Sequence, residues 1–203
     1  PTAQDVTALH LVNTPFTITL NKGDVYQYQS TGDITGTKIR SIATSTSSCQ
    51  QISVFSGSTW TSMGCTNAGS GDNLYQQLFP INAWGKTFLT APSATRKWDI
   101  FRILVQDPNT NVSVNGSTLS KGLLTNNTYY EFNTLGDNTY RSIVADGPIC
   151  VMQYFITQSC DNSTAGDPEM IALSPIEQTI NDVVVMSARN DLTPPNTNIN
   201  SHY

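Results

Sequence analysis

The residues that could do chemistry are few and scattered along the chain. Its two histidines are His10, in an alternating stretch, and His202, close to the carboxyl end. A serine or cysteine nucleophile needs a histidine within hydrogen-bond reach, and neither histidine lies in a motif of this kind. Glycoside hydrolysis would need two carboxylates held across a cleft. We therefore expect no enzyme, with a glycosidase as a distant alternative.

Four Gly-Asp pairs carry the most regularly placed carboxylates. Glycine and aspartate both favour tight turns, so these pairs are explained as turn residues. Aspartate oxygens also suit Ca²⁺, but the sequence has neither an EF-hand loop nor a repeated Asp-x-Asp pattern. We expect no cofactor, with calcium at these turns as the alternative. The four carboxylates are Asp33, Asp72, Asp137 and Asp167.

The four cysteines are predicted to form structural disulfides. Their number is even, and none of their spacings matches a zinc or redox motif. Cys49 precedes Cys65 much as Cys150 precedes Cys160 within an internal repeat. We therefore predict two local bridges, Cys49 with Cys65 and Cys150 with Cys160, the alternative being four free buried thiols. Such bridges would place the protein in an oxidising compartment.

The internal repeat extends along most of the chain. Leu20–Tyr28 matches Leu124–Phe132 at an offset of 104 residues, and Arg40-Ser41-Ile42 matches Arg141-Ser142-Ile143 at an offset of 101. Beyond the second cysteine the offset is 95, as between Cys65 and Cys160. The offset changes only between predicted strands, where surface loops accept insertions. This pattern indicates a tandem duplication.

Each repeat is predicted to be all-β. Short β-branched and aromatic runs alternate with turn residues, a pattern typical of antiparallel sandwiches, and propeller-like blades are the alternative. Ile149–Thr157 is predicted to be a strand buried on both faces, joined to the preceding strand by an Asp146-Gly147-Pro148 turn. Pro175–Ile180 is predicted to form a single helical turn.

The repeat predicts how the chain divides. Residues 1–97 form the first β unit, residues 98–190 form the second, and residues 191–203 form a linker or edge segment. Moving Phe101–Val105 back by 104 positions lands before Pro1. The opening strand of the first unit is therefore expected upstream, and the incomplete unit suggests strand exchange with a neighbouring domain or chain.

Composition narrows the class of partner. Only 12% of residues are charged, the net charge is -5 and the pI is near 4.7. Binding to a nucleic-acid backbone needs clustered Lys and Arg, so no nucleic-acid partner is expected. No apolar stretch approaches the length of about 20 residues that spans a bilayer, and we expect no membrane insertion.

Five short segments, in this order, resemble successive signatures of the IgGFc-binding protein N-terminal domain family. They are Val54–Gly57, Trp84–Phe88, Ala145–Tyr154, Gly166–Met170 and Pro175–Gln178. The resemblance implies an extracellular binding or adhesion module of a larger cell-surface or secreted protein, with a protein or glycan ligand. It brings no catalytic residues. A structural stalk or a strand-exchange subunit is the alternative.

The loop between the cysteines of the first repeat offers a candidate ligand site. Gln50–Gly64 has fifteen residues, against nine in the second repeat, and carries Trp60 and Met63 among Ser, Thr and Gly. The second repeat forms its core without an equivalent of Trp60, so the core of the first repeat is not expected to need this residue. We predict that Trp60 is exposed and binds ligand with Met63, because exposed Trp is favoured at contact sites. The alternative is that Trp60 covers the strand beneath it.

Pro80-Ile81 and Trp84 are predicted to belong to the core. Pro80-Ile81 recurs as Pro175-Ile176, whereas Thr179 stands at the position of Trp84. A spacing that both repeats share is more often maintained by side-chain packing in the core than by ligand binding.

Overall fold

The computed structural model describes residues 3–5, 10, 13–45, 48–66, 69–93, 96–163 and 166–184. Within these ranges the regular secondary structure consists of β-strands and four short 3-10 turns, with no α-helix. The all-β prediction is therefore confirmed. The chain divides into two compact units, residues 1–52 and residues 53–203. Residues 53–97 therefore pack with the part of the chain that follows them, which differs from the boundary that the repeat predicts.

The first unit has little regular structure among its described residues. β1 (Ala3–Asp5) pairs in parallel with β2 (Val25–Gln27). The turn before β2 is closed by Asp24, whose carboxylate accepts a hydrogen bond of 2.9 Å from the backbone N–H of Asn21. No strand is assigned over residues 39–45, and Ile39 and Ile42 are exposed.

A seven-stranded antiparallel sheet dominates the second unit, and a separate two-stranded hairpin completes it. The hairpin consists of β3 (Phe55–Thr61) and β4 (Asp72–Gln77). The sheet strands are β5 (Gly85–Leu89), β6 (Asp99–Val105), β7 (Val112–Val114), β8 (Ser117–Thr118), β9 (Tyr129–Asn133), β10 (Ser142–Phe155) and β11 (Glu169–Ala172).

Strand β10 is the centre of this sheet. One of its edges pairs with β7 and then with β6, while the other pairs with β5 and then with β11. Beyond them, β8 pairs with β7 and β9 pairs with β6. Although β7 with β8 and β10 with β11 are consecutive in sequence, β10 also pairs with β5, β6 and β7, which are not adjacent to it in sequence. This order differs from that of the four-stranded sheets of propeller blades. The arrangement is consistent with the sandwich-like prediction.

The central part of β10 is buried on both faces. Side chains alternate between the two faces of a strand, and the six consecutive residues from Ile149 to Tyr154 are all buried. This confirms the prediction for Ile149–Thr157 over its strand portion. The predicted turn at Asp146-Gly147-Pro148 is wrong, because β10 continues through these residues with a shift in register between Val144 and Ile149. Such a shift bends a strand without ending it.

Each face of the sheet carries its own apolar cluster. The first contains Phe88, Phe101, Ile103, Val105, Val112, Tyr130, Ile143, Ala145, Ile149 and Val151. The second contains Leu74, Cys150, Met152 and Tyr154. Leu74 belongs to β4, so the β3–β4 hairpin helps to cover the second face. Each fully buried large apolar side chain contributes about 1.5 to 3 kcal/mol to folding.

The disulfide joins Cys65 to Cys160, which are 95 residues apart. The predicted local bridges are therefore wrong. Cys150 is buried inside β10, where burial raises its pKa to about 11, and Cys49 is an exposed thiol of the first unit. The hairpin brings Cys65 to the end of β10, where Thr157 donates its N–H to the Met63 carbonyl over 2.9 Å. The bridge thus links the equivalent positions of the two repeats.

A buried ion pair holds the segment that follows Cys160. The Arg96 guanidinium lies 3.2 Å from Asp161 Oδ1, and both side chains are almost fully buried. The other carboxylate oxygen of Asp161 accepts the N–H of Lys97 over 3.0 Å. Removing one partner of such a pair would leave an uncompensated buried charge. The pair therefore connects the residue after Cys160 to the segment just before β6.

A 3-10 turn at Ile176–Gln178 clamps the start of β5. The two carboxylate oxygens of Glu177 accept the N–H groups of Lys86 and Thr87 over 3.1 and 3.4 Å. Gly85 lies against Pro175, where an added Cβ would be 2.2 Å from the Pro175 Cβ. The single helical turn predicted here is confirmed.

The matching 3-10 turn of the first repeat, Ile81–Ala83, has no buried residue. The prediction that Ile81 belongs to the core is therefore wrong, since its side chain is exposed. Trp84 is half-buried and packs against the second apolar cluster. Its indole N–H lies 3.4 Å from the carbonyl of Phe79. A shared backbone turn thus explains the repeated Pro-Ile pair better than side-chain burial does.

We expect removal of the disulfide to destabilise the second unit strongly. Replacing Cys65 and Cys160 with serine should lower the free energy of unfolding by about 4 to 5 kcal/mol, because the bridge closes a long loop in the unfolded chain. Denaturant titration followed by circular dichroism measures the loss. Cys49→Ser is the control and should leave the unfolding of the second unit unchanged. Non-reducing peptide mapping that found Cys49 in a bridge would contradict the pairing.

We also expect the clamp on β5 to weaken in acid. Partial burial raises the pKa of Glu177, but hydrogen bonds from its own backbone, Lys86 and Thr87 outweigh this and hold the pKa below its usual 4.5. The carboxylate therefore stabilises the fold fully above pH 4.5, and this contribution is lost as the pH falls through the lowered pKa. Hydrogen exchange at Lys86 and Thr87 should accelerate over that range.

Glu177→Gln should give faster exchange at Lys86 and Thr87 already at neutral pH and should remove most of its acid dependence. Glu169→Gln, which changes an exposed carboxylate of β11, is the matched control. Equal behaviour of the two variants would show that Glu177 does not hold β5.

A candidate binding surface on the β3–β4 hairpin

The two sides of the β3–β4 hairpin differ in character. Ser58 lies opposite Leu74, and Gly57 lies opposite Tyr75. Because side chains alternate along a strand, Leu74 points to the covered side and Tyr75 to the open side. Leu74 is buried, whereas Tyr75 is 68% exposed. The hairpin therefore presents one side to the core and the other to solvent.

A shift in register places Trp60 on the open side. Ser58 pairs with Leu74 and Thr61 pairs with Asp72, so three steps along β3 correspond to two along β4. This irregularity puts Thr61 on the side of Leu74, and the adjacent Trp60 then points the other way. The Trp60 side chain is 70% exposed.

Three aromatic rings occupy this open side, and two of them stack. The rings of Phe55 and Tyr75 have centroids 5.1 Å apart with an interplanar angle of 4°. Phe55 is 47% exposed. Gly57, which lies opposite Tyr75, has no room for a side chain, since an added Cβ would come within 1.7 Å of the Leu74 carbonyl oxygen. Gly71 is close to Trp60 in the same way, since a Cβ added there would lie 3.0 Å from two atoms of the indole ring and 2.7 Å from the Thr61 carbonyl oxygen. We call Phe55, Trp60 and Tyr75 the aromatic face.

The surroundings of the aromatic face are polar but uncharged. β3 has no ionisable side chain, and the one carboxylate of β4, Asp72, lies on the covered side. Thr59, Asn73 and Gln77 are exposed beside the rings. Rings supply apolar contact area at low entropic cost, while amides and hydroxyls supply hydrogen-bond donors and acceptors. This combination suits a ligand that is uncharged where it touches the protein.

The predicted site residues do not lie together. Trp60 is exposed, as predicted, and its role in binding stays a prediction. Met63 packs against the second apolar cluster, and its backbone N–H donates to Thr157 Oγ1 over 2.9 Å. Phe55 and Tyr75 are the residues that sequence reasoning missed. The alternation of apolar Leu74 with Tyr75 and polar neighbours could have indicated a strand with one exposed side. These residues follow Cys65, outside the loop in which the candidate site was predicted.

A shallow cleft of about 500 Å³ lies beside the disulfide and includes Met63, Trp98 and Arg102 in its lining. Arg102 already pairs with Glu131 over 2.6 Å and lies above the ring of Tyr129. These contacts hold the guanidinium on the sheet. The cleft lies between residues 62–66, which follow β3, and residues of β6 and β9, and its cation already has a carboxylate partner.

The described residues contain no group of three or more His, Cys, Asp or Glu side chains placed to hold a metal ion. In the same part of the chain, no helix has the length and apolar character that a membrane span requires.

The segments that resemble family signatures have structural roles in this fold. Lys86, from the second of them, donates its Nζ hydrogen bond to the Asp146 carbonyl in the third, over 2.8 Å. Gln178, from the fifth, donates to the Ala83 carbonyl next to Trp84 over 2.5 Å. These contacts, with the Glu177 clamp, join three segments that are far apart in sequence. These three segments therefore help to hold the sheet together, whereas the first segment, Val54–Gly57, contains Phe55 of the aromatic face.

Comparison with known proteins agrees with this resemblance. A family model described as IgGFc binding protein matches residues 2–201. No curated protein and no solved structure matches the chain. Since the family match covers nearly the whole sequence, the chain belongs to the IgGFc binding protein family.

Proposed function

We propose that this protein is an extracellular, non-enzymatic binding module of a larger cell-surface or secreted protein, and that the aromatic face is its contact surface. The observation that carries the proposal is the placement of Phe55, Trp60 and Tyr75 on one uncharged, solvent-exposed side of the hairpin. Family membership supports a binding role. The Cys65–Cys160 bridge supports an oxidising compartment.

The chemistry of the face favours a neutral glycan as ligand. A sugar ring presents C–H groups on one side and hydroxyls around its edge. The C–H side fits against exposed rings such as Trp60 and Tyr75, and the hydroxyls fit the amides of Asn73 and Gln77. A charged ligand would find no carboxylate, amine or guanidinium partner among the side chains on this side of the hairpin.

A protein ligand is the second candidate, and the family name gives IgG Fc as the protein to test. Protein interfaces are enriched in Trp and Tyr at the positions that carry most of the binding energy. The two candidates predict the same critical residues, so the ligand itself has to be identified by experiment.

Trp60→Ala and Tyr75→Ala should each weaken binding by about tenfold or more, because a contact residue of this kind contributes at least about 1.4 kcal/mol. Binding is measured on an array of neutral glycans and, in parallel, on immobilised Fc by interferometry. The melting temperature should change little, since both side chains are mostly exposed.

Tyr140→Ala is the matched control, because Tyr140 is an equally exposed tyrosine outside the hairpin. It should bind like the unaltered protein. If all three variants bound equally well, the aromatic face would not be the contact surface. A large drop in melting temperature for Trp60→Ala would instead assign that ring to the packing of the hairpin.

A further inference from the structure

The open side of strand β4 carries its side chains in a row. Every second side chain of a strand points to the same face, so Asn73, Tyr75 and Gln77 lie together on this side, and all three are exposed. Trp60 of β3 joins one end of the row, where its indole is close to Gly71. Rings and neutral amides therefore alternate along β4, in the order Trp60, Asn73, Tyr75 and Gln77.

The rings of Trp60 and Tyr75 are too far apart to stack on the same sugar. Gly71, which is close to the indole, precedes Tyr75 by four positions. Each position advances a strand by about 3.3 Å, so the two rings are separated by roughly 13 Å along β4. This separation exceeds the length of a monosaccharide. A glycan that contacts both rings is therefore a chain of several linked sugars, and Asn73 lies next to the sugars between them.

Phe55 holds the ring of Tyr75 in place for such a contact. The two rings are stacked with their centroids 5.1 Å apart, so one face of the Tyr75 ring is covered. The Tyr75 side chain is nevertheless 68% exposed, which leaves its other face for a ligand. A side chain that is already held in one position loses little conformational entropy on binding. Tyr75 therefore suits contact with one sugar of the chain.

The row is open to solvent along its length. The side chains of Trp60 and Tyr75 are each more than two-thirds exposed, and Asn73 between them is exposed as well. A pocket for a small ligand encloses most of the ligand surface, and this row encloses none. The surface therefore suits the middle of a polymer better than a single terminal sugar.

A straight row also distinguishes between the linkages that join neutral sugars. β-1,4 linkages give an extended ribbon with C–H groups on both of its flat sides, whereas α-1,4 linkages make the chain coil. β4 carries no extra residue, because the irregularity of the hairpin lies in β3 between Ser58 and Thr61. Only the extended ribbon stays in contact with both rings of a strand that runs straight.

We propose that the aromatic face binds an extended, β-1,4-linked neutral polysaccharide along its length. One sugar lies on Trp60, another lies on Tyr75, and the sugars between them pass over Asn73. This inference rests on the proposed function and adds to it the linkage of the ligand and its direction along β4. One chain that contacts both rings binds more tightly than a fragment that reaches only one, because the second contact is intramolecular.

Calorimetric titration of the full chain with soluble oligosaccharides tests the proposal. The probes are two β-1,4-linked neutral series, cello-oligosaccharides and chito-oligosaccharides, from the disaccharide to the hexasaccharide. The α-1,4-linked maltohexaose is the control for linkage. We expect the hexasaccharide of at least one β-linked series to bind with one chain per protein molecule. Its affinity should be about tenfold or more above that of its disaccharide and that of maltohexaose.

Three variants test where the chain lies. Trp60→Ala should lower the affinity for the hexasaccharide to that for the disaccharide, because a single ring of the row then remains. Asn73→Ala should weaken hexasaccharide binding by roughly threefold or more, since a neutral hydrogen bond contributes about 0.5 to 1.5 kcal/mol. Gln76→Ala is the matched control, because it removes an amide from the covered side of β4, and it should bind like the unaltered protein.

The outcomes separate this inference from the proposed function. Equal affinity for disaccharide and hexasaccharide, two chains per protein molecule, or equal binding of maltohexaose would overturn the extended chain and leave a neutral glycan as the ligand. Equal binding by the Asn73→Ala and Gln76→Ala variants would overturn the path over Asn73. If no oligosaccharide bound, the inference would fail. Fc binding that Trp60→Ala abolishes would then still support the aromatic face as a contact surface, whereas binding of neither ligand would overturn both.

Discussion

The burial of β10 on both of its faces is the constraint on which the second unit depends. Six consecutive residues of this strand are withdrawn from water, so its two edges need hydrogen-bonding partners and its two faces need apolar cover. β6 and β7 supply one edge, and β5 and β11 supply the other. The β3–β4 hairpin contributes Leu74 to the face that the first apolar cluster leaves open. The location of the aromatic face follows from this, because it is the outer side of a hairpin whose inner side covers β10.

The family signatures and the candidate binding surface are largely separate parts of the molecule. Three segments, Trp84–Phe88, Asp146 and Pro175–Gln178, meet at one structural clamp, through hydrogen bonds between side chains and backbone groups and a close approach at Gly85. Trp60 and Tyr75 lie outside the signature segments, whereas Phe55 lies in the first of them, Val54–Gly57. Two of the three rings of the aromatic face are therefore separate from the clamp.

The sequence predicted local structure in the second repeat well and long-range pairing poorly. The apolar run at Ile149–Thr157 and the turn after Pro175 are encoded by neighbouring residues, so their patterns were readable. The partner of Cys65 is 95 residues away, and four cysteines allow three pairings that spacing alone does not separate. Trp60 was predicted to be exposed from an insertion, but its grouping with Tyr75 depends on hairpin register, which a single strand does not reveal.

The Cys65–Cys160 bridge has a mechanical consequence for a protein loaded in tension. Strands β4 to β10 all lie between the two cysteines, and among the described residues of the second unit only the strands β3 and β11 lie outside them. A pulling force on the chain ends can peel away these two strands, but it is then carried across the sulfur–sulfur bond and bypasses the seven enclosed strands. The two cysteines are separated by 95 positions, which correspond to roughly 310 to 340 Å of extended chain. This length is not released until the bond is reduced. Thiol chemistry in the surroundings would thus decide how far the second unit lengthens under load.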